Sequence, residues 1–181
     1  MDEQALAPQQ LIRDGQAAYQ RGEFGAAAAA FEAAATSYEA AADPLMAAEM
    51  RNNGSVAALQ AGDASAALRL VEGTPQTFAA AGDRRRQGLA LGNWAAALAA
   101  MGQRDAAIDA YQQAAEVLQQ AGEDQARLQV MQALSALQLR RGDQLHALAT
   151  MQAGLEEVKK PTLQQRLLKR LLDVPFQMLK K

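Results

Sequence analysis

Glycine recurs every forty residues along this chain, at Gly22, Gly62, Gly102 and Gly142. Repetition at such a period marks stacked supersecondary units rather than one irregular core. Three other columns keep the same register. Seven residues before each glycine stand Gly15, Ser55, Ala95 and Ser135, all small. Five residues after stand Ala27, Ala67, Ala107 and Ala147. Nine residues after stand Phe31, Val71, Tyr111 and Met151, all large and apolar.

Each column has a physical meaning. A glycine between two helices supplies the positive φ of a tight turn. The residue after it (Glu23, Asp63, Gln103 or Asp143) suits the start of the next helix as a cap and as a dipole partner. The small residue before the turn and the alanine after it face each other and let two antiparallel helices approach closely. The large residue fills the space against the next hairpin.

Composition agrees with helices throughout. Half of the 181 residues are apolar but only 4% are aromatic, and alanine supplies much of the apolar share. Alanine, glutamine, leucine, glutamate and arginine are strong helix formers, and β-branched residues are few. The expected first helices span about 8–21, 44–61, 84–101 and 125–141. The expected second helices span about 24–41, 64–81, 104–121 and 144–160. Stop and restart signals separate the repeats at Asp43-Pro44, Gly82-Asp83, Gly122-Glu123-Asp124 and Lys160-Pro161. Glu72-Gly73-Thr74-Pro75 falls inside one second helix and predicts a break or kink there.

These columns resemble the tetratricopeptide repeat family over about residues 8–160. Tyr19, Gly22, Ala27, Phe31 and Ala34 carry the resemblance in the first repeat. Trp94, Ala95, Gly102, Ala107, Tyr111 and Ala114 carry it in the third. The period of forty, the Gly-Asp boundary, and Asn53-Gly54-Ser55 and Asn93-Trp94-Ala95 are similar to the long-period class of kinesin light chains and bacterial regulators. The resemblance implies an all-α, right-handed α-α superhelix of four hairpins, with repeats at about 8–43, 44–83, 84–123 and 124–160. A capping helix over 161–181 would complete a single solenoid domain. Leu163, Leu167, Leu168, Leu171 and Leu172 fall on one helical face there, and Pro175 is expected to end or bend the helix.

The resemblance also implies a concave groove lined by the first helices and holding a peptide or helical segment. By register, its lining comprises Ile12, Gln16 and Tyr19, then Asn52, Asn53 and Val56. Arg86, Leu89, Asn93 and Ala96 follow, and then Gln132 and Arg140. Asn53 and Asn93 are the foremost candidates to grip a peptide backbone, since an amide both donates and accepts. A plain structural role is the other reading: both asparagines bridge adjacent helices. The lysine-based clamp that some members of the family use for a terminal carboxylate is not reproduced, because no lysine precedes Lys159.

Signals for chemistry are weak. There is no cysteine, and the single histidine, His146, cannot make an ordinary zinc site. No glycine-rich loop leads into Lys-Ser or Lys-Thr. Gly88 and Gly92 are expected to ease close helix packing. No catalytic residue, metal or cofactor is expected. A net charge of −2 argues against nucleic acid as partner. Charge is nonetheless segregated: residues 159–181 hold seven cations and one acid, Asp173, leaving −8 on the remainder.

The expectation is thus a cytoplasmic, non-enzymatic protein-interaction module. The alternatives are a peripheral membrane or assembly factor using the basic C-terminal helix, and a self-associating scaffold.

Overall fold

The computed structural model describes residues 7–156, 158–159 and 161–178. Among them there are ten α-helices and no strand. The helices are α1 (Pro8–Gln20), α2 (Phe24–Ala40), α3 (Pro44–Gln60), α4 (Ala64–Val71) and α5 (Thr74–Ala80). They continue with α6 (Arg84–Ala100), α7 (Arg104–Gln120), α8 (Asp124–Arg141), α9 (Gln144–Glu156) and α10 (Leu163–Met178). Packing is consecutive, and every pair in substantial contact lies within three positions along the chain.

One turn is used seven times. Gly22, Gly62, Gly82, Gly102, Gly122 and Gly142 all have φ between 71° and 88°. The seventh position in this series is Ala42, with φ of 55°. These residues are spaced by twenty, so the turns between repeats match those within them. In each, the N–H after the left-handed residue donates back to the carbonyl five residues earlier. Examples are Glu23 to Ala18 at 2.9 Å, Asp43 to Tyr38 at 2.9 Å and Asp143 to Gln138 at 2.9 Å. This is the Schellman closure, which satisfies the last carbonyls of the preceding helix.

Capping follows side-chain length. Asp43, Asp63 and Asp83 accept from the backbone N–H of Met46, Ala66 and Arg86 at 3.1, 2.9 and 2.9 Å. Glu23, Gln103 and Glu123 make no side-chain cap bond. Their extra methylene carries the oxygen past the reach that a cap requires. The expectation of a cap after each glycine thus holds for Asp63 and fails for Glu23, whose carboxylate pairs with Arg21 instead.

The core is built from alanine and a few large side chains. Ala27, Ala67 and Ala107 are fully buried and Ala147 nearly so. Their small-residue partners across the turn are buried as well, and Ser135 Oγ donates to the Ala147 carbonyl at 2.8 Å. Phe31, Val71 and Tyr111 are buried; Met151 is half-buried. Each large side chain removed from water contributes about 1.5–3 kcal/mol.

The predicted break lies at Gly73, which has φ of 76° and separates α4 from α5. Pro75 stands in the first turn of α5, where its missing N–H costs nothing. Thr74, in the column that otherwise holds Ala34, Ala114 and Gly154, is buried and donates its hydroxyl to the Val71 carbonyl at 2.9 Å.

One expectation for the C-terminal segment is corrected and another narrowed. Of the two outcomes expected at Pro175, an end is excluded, since α10 runs on to Met178; a proline near a helix end deletes one backbone bond. The leucines do not all face one way. Leu168 packs against the cluster of Leu128, Leu155 and Val158, whereas Leu163 is 83% exposed and Leu167 is 61% exposed. The side chains of Leu171 and Leu172, and the whole of Leu179, Lys180 and Lys181, lie outside the described residues.

Candidate binding groove

The first helices α1, α3, α6 and α8 carry the twelve groove candidates. Four of these come together. Gln16 and Tyr19 of α1 and Asn53 and Val56 of α3 line one depression of about 590 Å³. Gln20 and Phe31 complete its wall. The spacing explains the convergence: Gln16 and Tyr19 lie one turn apart, as do Asn53 and Val56, so each pair shares a helix face. Gly15 lets the α1 backbone settle onto the Phe31 ring, since a Cβ there would lie 3.1 Å from it. Tyr19 is fixed in turn by an edge-to-face contact with Phe24, ring centroids 5.1 Å apart. Ile12 packs beside Leu11 on the cluster around Phe31 and supports the wall from beneath.

The depression offers apolar surface from Tyr19, Phe31 and Val56, and amide donors and acceptors from Gln16, Gln20 and Asn53. Such a lining holds an apolar side chain and satisfies the peptide groups on either side of it. Among the described residues, no ionisable group other than the Tyr19 phenol borders it.

Farther along, the candidates are engaged with their neighbours in the fold. Asn93 donates its Nδ2 to Asn52 Oδ1 at 2.9 Å, joining α6 to α3. The reading of Asn93 as a bridge between adjacent helices is therefore the one the geometry displays. Its partner is Asn52 and not its register equivalent Asn53. Arg86 bonds Glu49 at 2.9 Å and Asp83 at 2.6 Å, and its guanidinium lies 5.2 Å from the Phe78 ring centroid. The hydrogen bonds to Arg86 hold the Asp83 carboxyl below the usual aspartate range. Bonding to Asp83 in turn raises the Arg86 guanidinium.

Leu89 and Ala96 are half-buried against the cluster around Leu91 and Tyr111. Gln132 and Arg140 of α8 are exposed, as is Leu139. The twelve candidates thus divide into a recess at α1–α3 with Ile12 beside it, the polar contacts of Asn52, Asn93 and Arg86 at α3–α6, Leu89 and Ala96 packed on the core, and an open surface at α8. Phe31 and Gln20 were missed as lining. Phe31 was legible as a repeat-column residue, but the column says only that it is large, not that one ring edge reaches a recess.

Among the described residues, no group of three or more His, Asp or Glu side chains is arranged to hold a metal ion. No helix among them is long and apolar enough to cross a membrane. His146 is exposed, and its Nδ1 lies 2.7 Å from Asp143 Oδ1. In comparison with known proteins, the chain matches no family model and no curated protein.

Proposed function

We propose that this chain is a non-enzymatic interaction module of the tetratricopeptide type, a right-handed superhelix whose first helices grip a peptide or helical segment of a protein partner. The recess formed by Gln16, Tyr19, Asn53 and Val56 carries this reading. It joins an apolar floor to amides that are free of ion pairs, which suits one anchoring side chain with its flanking backbone. The consecutive packing and the seven equal turns support the superhelical part of the proposal. The test is affinity capture with the wild type and with a Tyr19→Ala/Asn53→Ala variant. A partner retained by the wild type and lost by the variant is expected. An identical partner set from both sinks the groove assignment.

A second reading, contact through the basic C-terminal helix, is favoured by one observation. Leu163 and Leu167 stand outward on α10 beside the exposed Arg166 and Arg170, while Leu168 is turned inward to the fourth hairpin. Sealing the last hairpin and making an outside contact are therefore compatible in one helix.

A further inference from the structure

The helix break at Gly73 opens a second recess, on the face away from the groove candidates. Two adjoining depressions of about 350 and 250 Å³ meet at Pro75 and Gln76, the first between α4 and α6 and the second between α5, α6 and α7; together they make a cleft along α6. Its floor is apolar and belongs mainly to α6, with Leu91, Trp94 and Leu98. Val71 and Val117 close the sides. A continuous second helix would lay its side chains over this floor, as α7 does over the following first helix. Where the chain instead turns at Gly73, Trp94 is left half-covered.

Among the described residues, the ionisable ones lining the cleft are Glu72 at the first depression and Glu116 at the second, both exposed. Neither forms an ion pair with a described residue. Glu72 also borders a neighbouring depression with Arg51 and Arg69, whose guanidiniums are already paired with Glu39 and Glu32. Two adjoining apolar depressions, each bordered by one acid, fit a helix that carries apolar side chains one turn apart, flanked by cations.

The same chain displays such a helix. On α10, Leu163 and Leu167 are one turn apart and exposed, and Arg166 and Arg170 repeat at the same interval beside them. Its inward side chain, Leu168, is held on the fourth hairpin, so the outer face is offered away from its own molecule. We propose that the outer face of α10 docks in the Trp94 cleft of a second copy of this chain, leucines on the floor and arginines toward Glu72 and Glu116. The proposal rests on the reading of α10 as a contact surface and names its partner; it is independent of the groove at Gln16 and Asn53.

Trp94 is the only tryptophan in the chain, so it reports on its own cleft. The full chain is followed by sedimentation velocity and by tryptophan emission from micromolar to near-millimolar concentration. The expected result is a mass above the monomer that appears together with a change in Trp94 emission and weakens as salt is raised. Leu163→Glu/Leu167→Glu and Glu72→Lys/Glu116→Lys each lower the association constant by about tenfold or more, the scale of losing a central contact. All four positions are exposed or on the rim, and circular dichroism checks that helix content is unchanged.

Mixing the two variants reunites one intact cleft with one intact α10 and restores association, stopping at a 1:1 pair. A chain that stays monomeric throughout overturns the proposal, as does association that the Glu72/Glu116 variant leaves intact. Flotation of a monomeric chain with anionic vesicles, abolished by Leu163→Glu/Leu167→Glu, would also overturn it, while leaving α10 a contact surface for lipid.

Discussion

Asn93 and Asn52, forty-one positions apart in sequence, meet through one hydrogen bond of 2.9 Å between their side-chain amides. Both are half-buried, and the bond joins the first helices of two successive hairpins. Removing one partner leaves the other amide in a partly dry site. Asn52→Ala is expected to cost ~1 kcal/mol. In a double-mutant cycle with Asn93→Ala, thermal denaturation should give a coupling of about 0.5–1.5 kcal/mol. Additive losses would mean that the bond contributes nothing in solution.

Among the described glycines, Gly88 leaves the least room for a side chain. A Cβ built there lies 2.6 Å from Leu118 Cγ and 2.8 Å from its Cδ2. Leu118 is fully buried, and Cγ is tied to the α7 backbone, so relief requires α6 and α7 to separate. Overpacking of this kind costs about 1–3 kcal/mol. The better helix propensity of alanine returns up to ~1 kcal/mol of that. Gly88→Ala should therefore lower the melting temperature by a few degrees, and an unchanged Tm would show that the interface has slack.

Ala42 holds the left-handed conformation that glycine holds at the other six turns of the series. That backbone costs an L-residue roughly 1–2 kcal/mol. Glycine removes the strain but adds about 0.5–1 kcal/mol of unfolded-state entropy. Ala42→Gly is expected to stabilise the protein by ~0.5–1 kcal/mol, read as a higher midpoint in urea. Ala42→Val should do the reverse, because a branched Cβ worsens the same clash.

Asp83 predicts a direction in pH. Its backbone and side-chain bonds to Arg86 hold its folded pKa below the unfolded value. The stabilisation it provides is complete above the ordinary aspartate range and is lost as pH falls through the folded value. Asp83→Asn keeps an N-cap oxygen but gives up the charge. Its melting temperature should therefore fall less steeply than that of the wild type as pH drops below about 4. Parallel acid limbs for the two proteins would exclude this origin.

Much of the architecture was legible because the left-handed turns strongly favour glycine, which holds six of the seven positions in the series. Glycine at a fixed interval announced the turns, and Gly73 with Pro75 announced the break. Gly88 and Gly92 were read as sites of close approach, and a Cβ on either meets a neighbour, Leu118 or Val130. The failures share one cause. Register says which face a residue occupies but not how two faces slide against each other. A slip of one position pairs Asn93 with Asn52 and leaves Asn53 to the recess with Gln16 and Tyr19. The C-terminal leucines were read as one stripe with one purpose. A helix face about a hundred degrees wide has two edges, and among the leucines whose side chains are described the one used for the seal is Leu168.

The confinement of contacts to near neighbours along the chain has a kinetic meaning. No helix waits for a distant segment before it can be buried, so little loop entropy opposes assembly and folding should be fast. It also makes the ends the soft points. α10 rests on α9, and its loss leaves every contact among α1–α8 in place, whereas loss of α6 strips the neighbours on both sides. Opening should therefore begin at the C-terminal end and advance one hairpin at a time. Hydrogen exchange would show this as protection that climbs in steps from α10 toward α6.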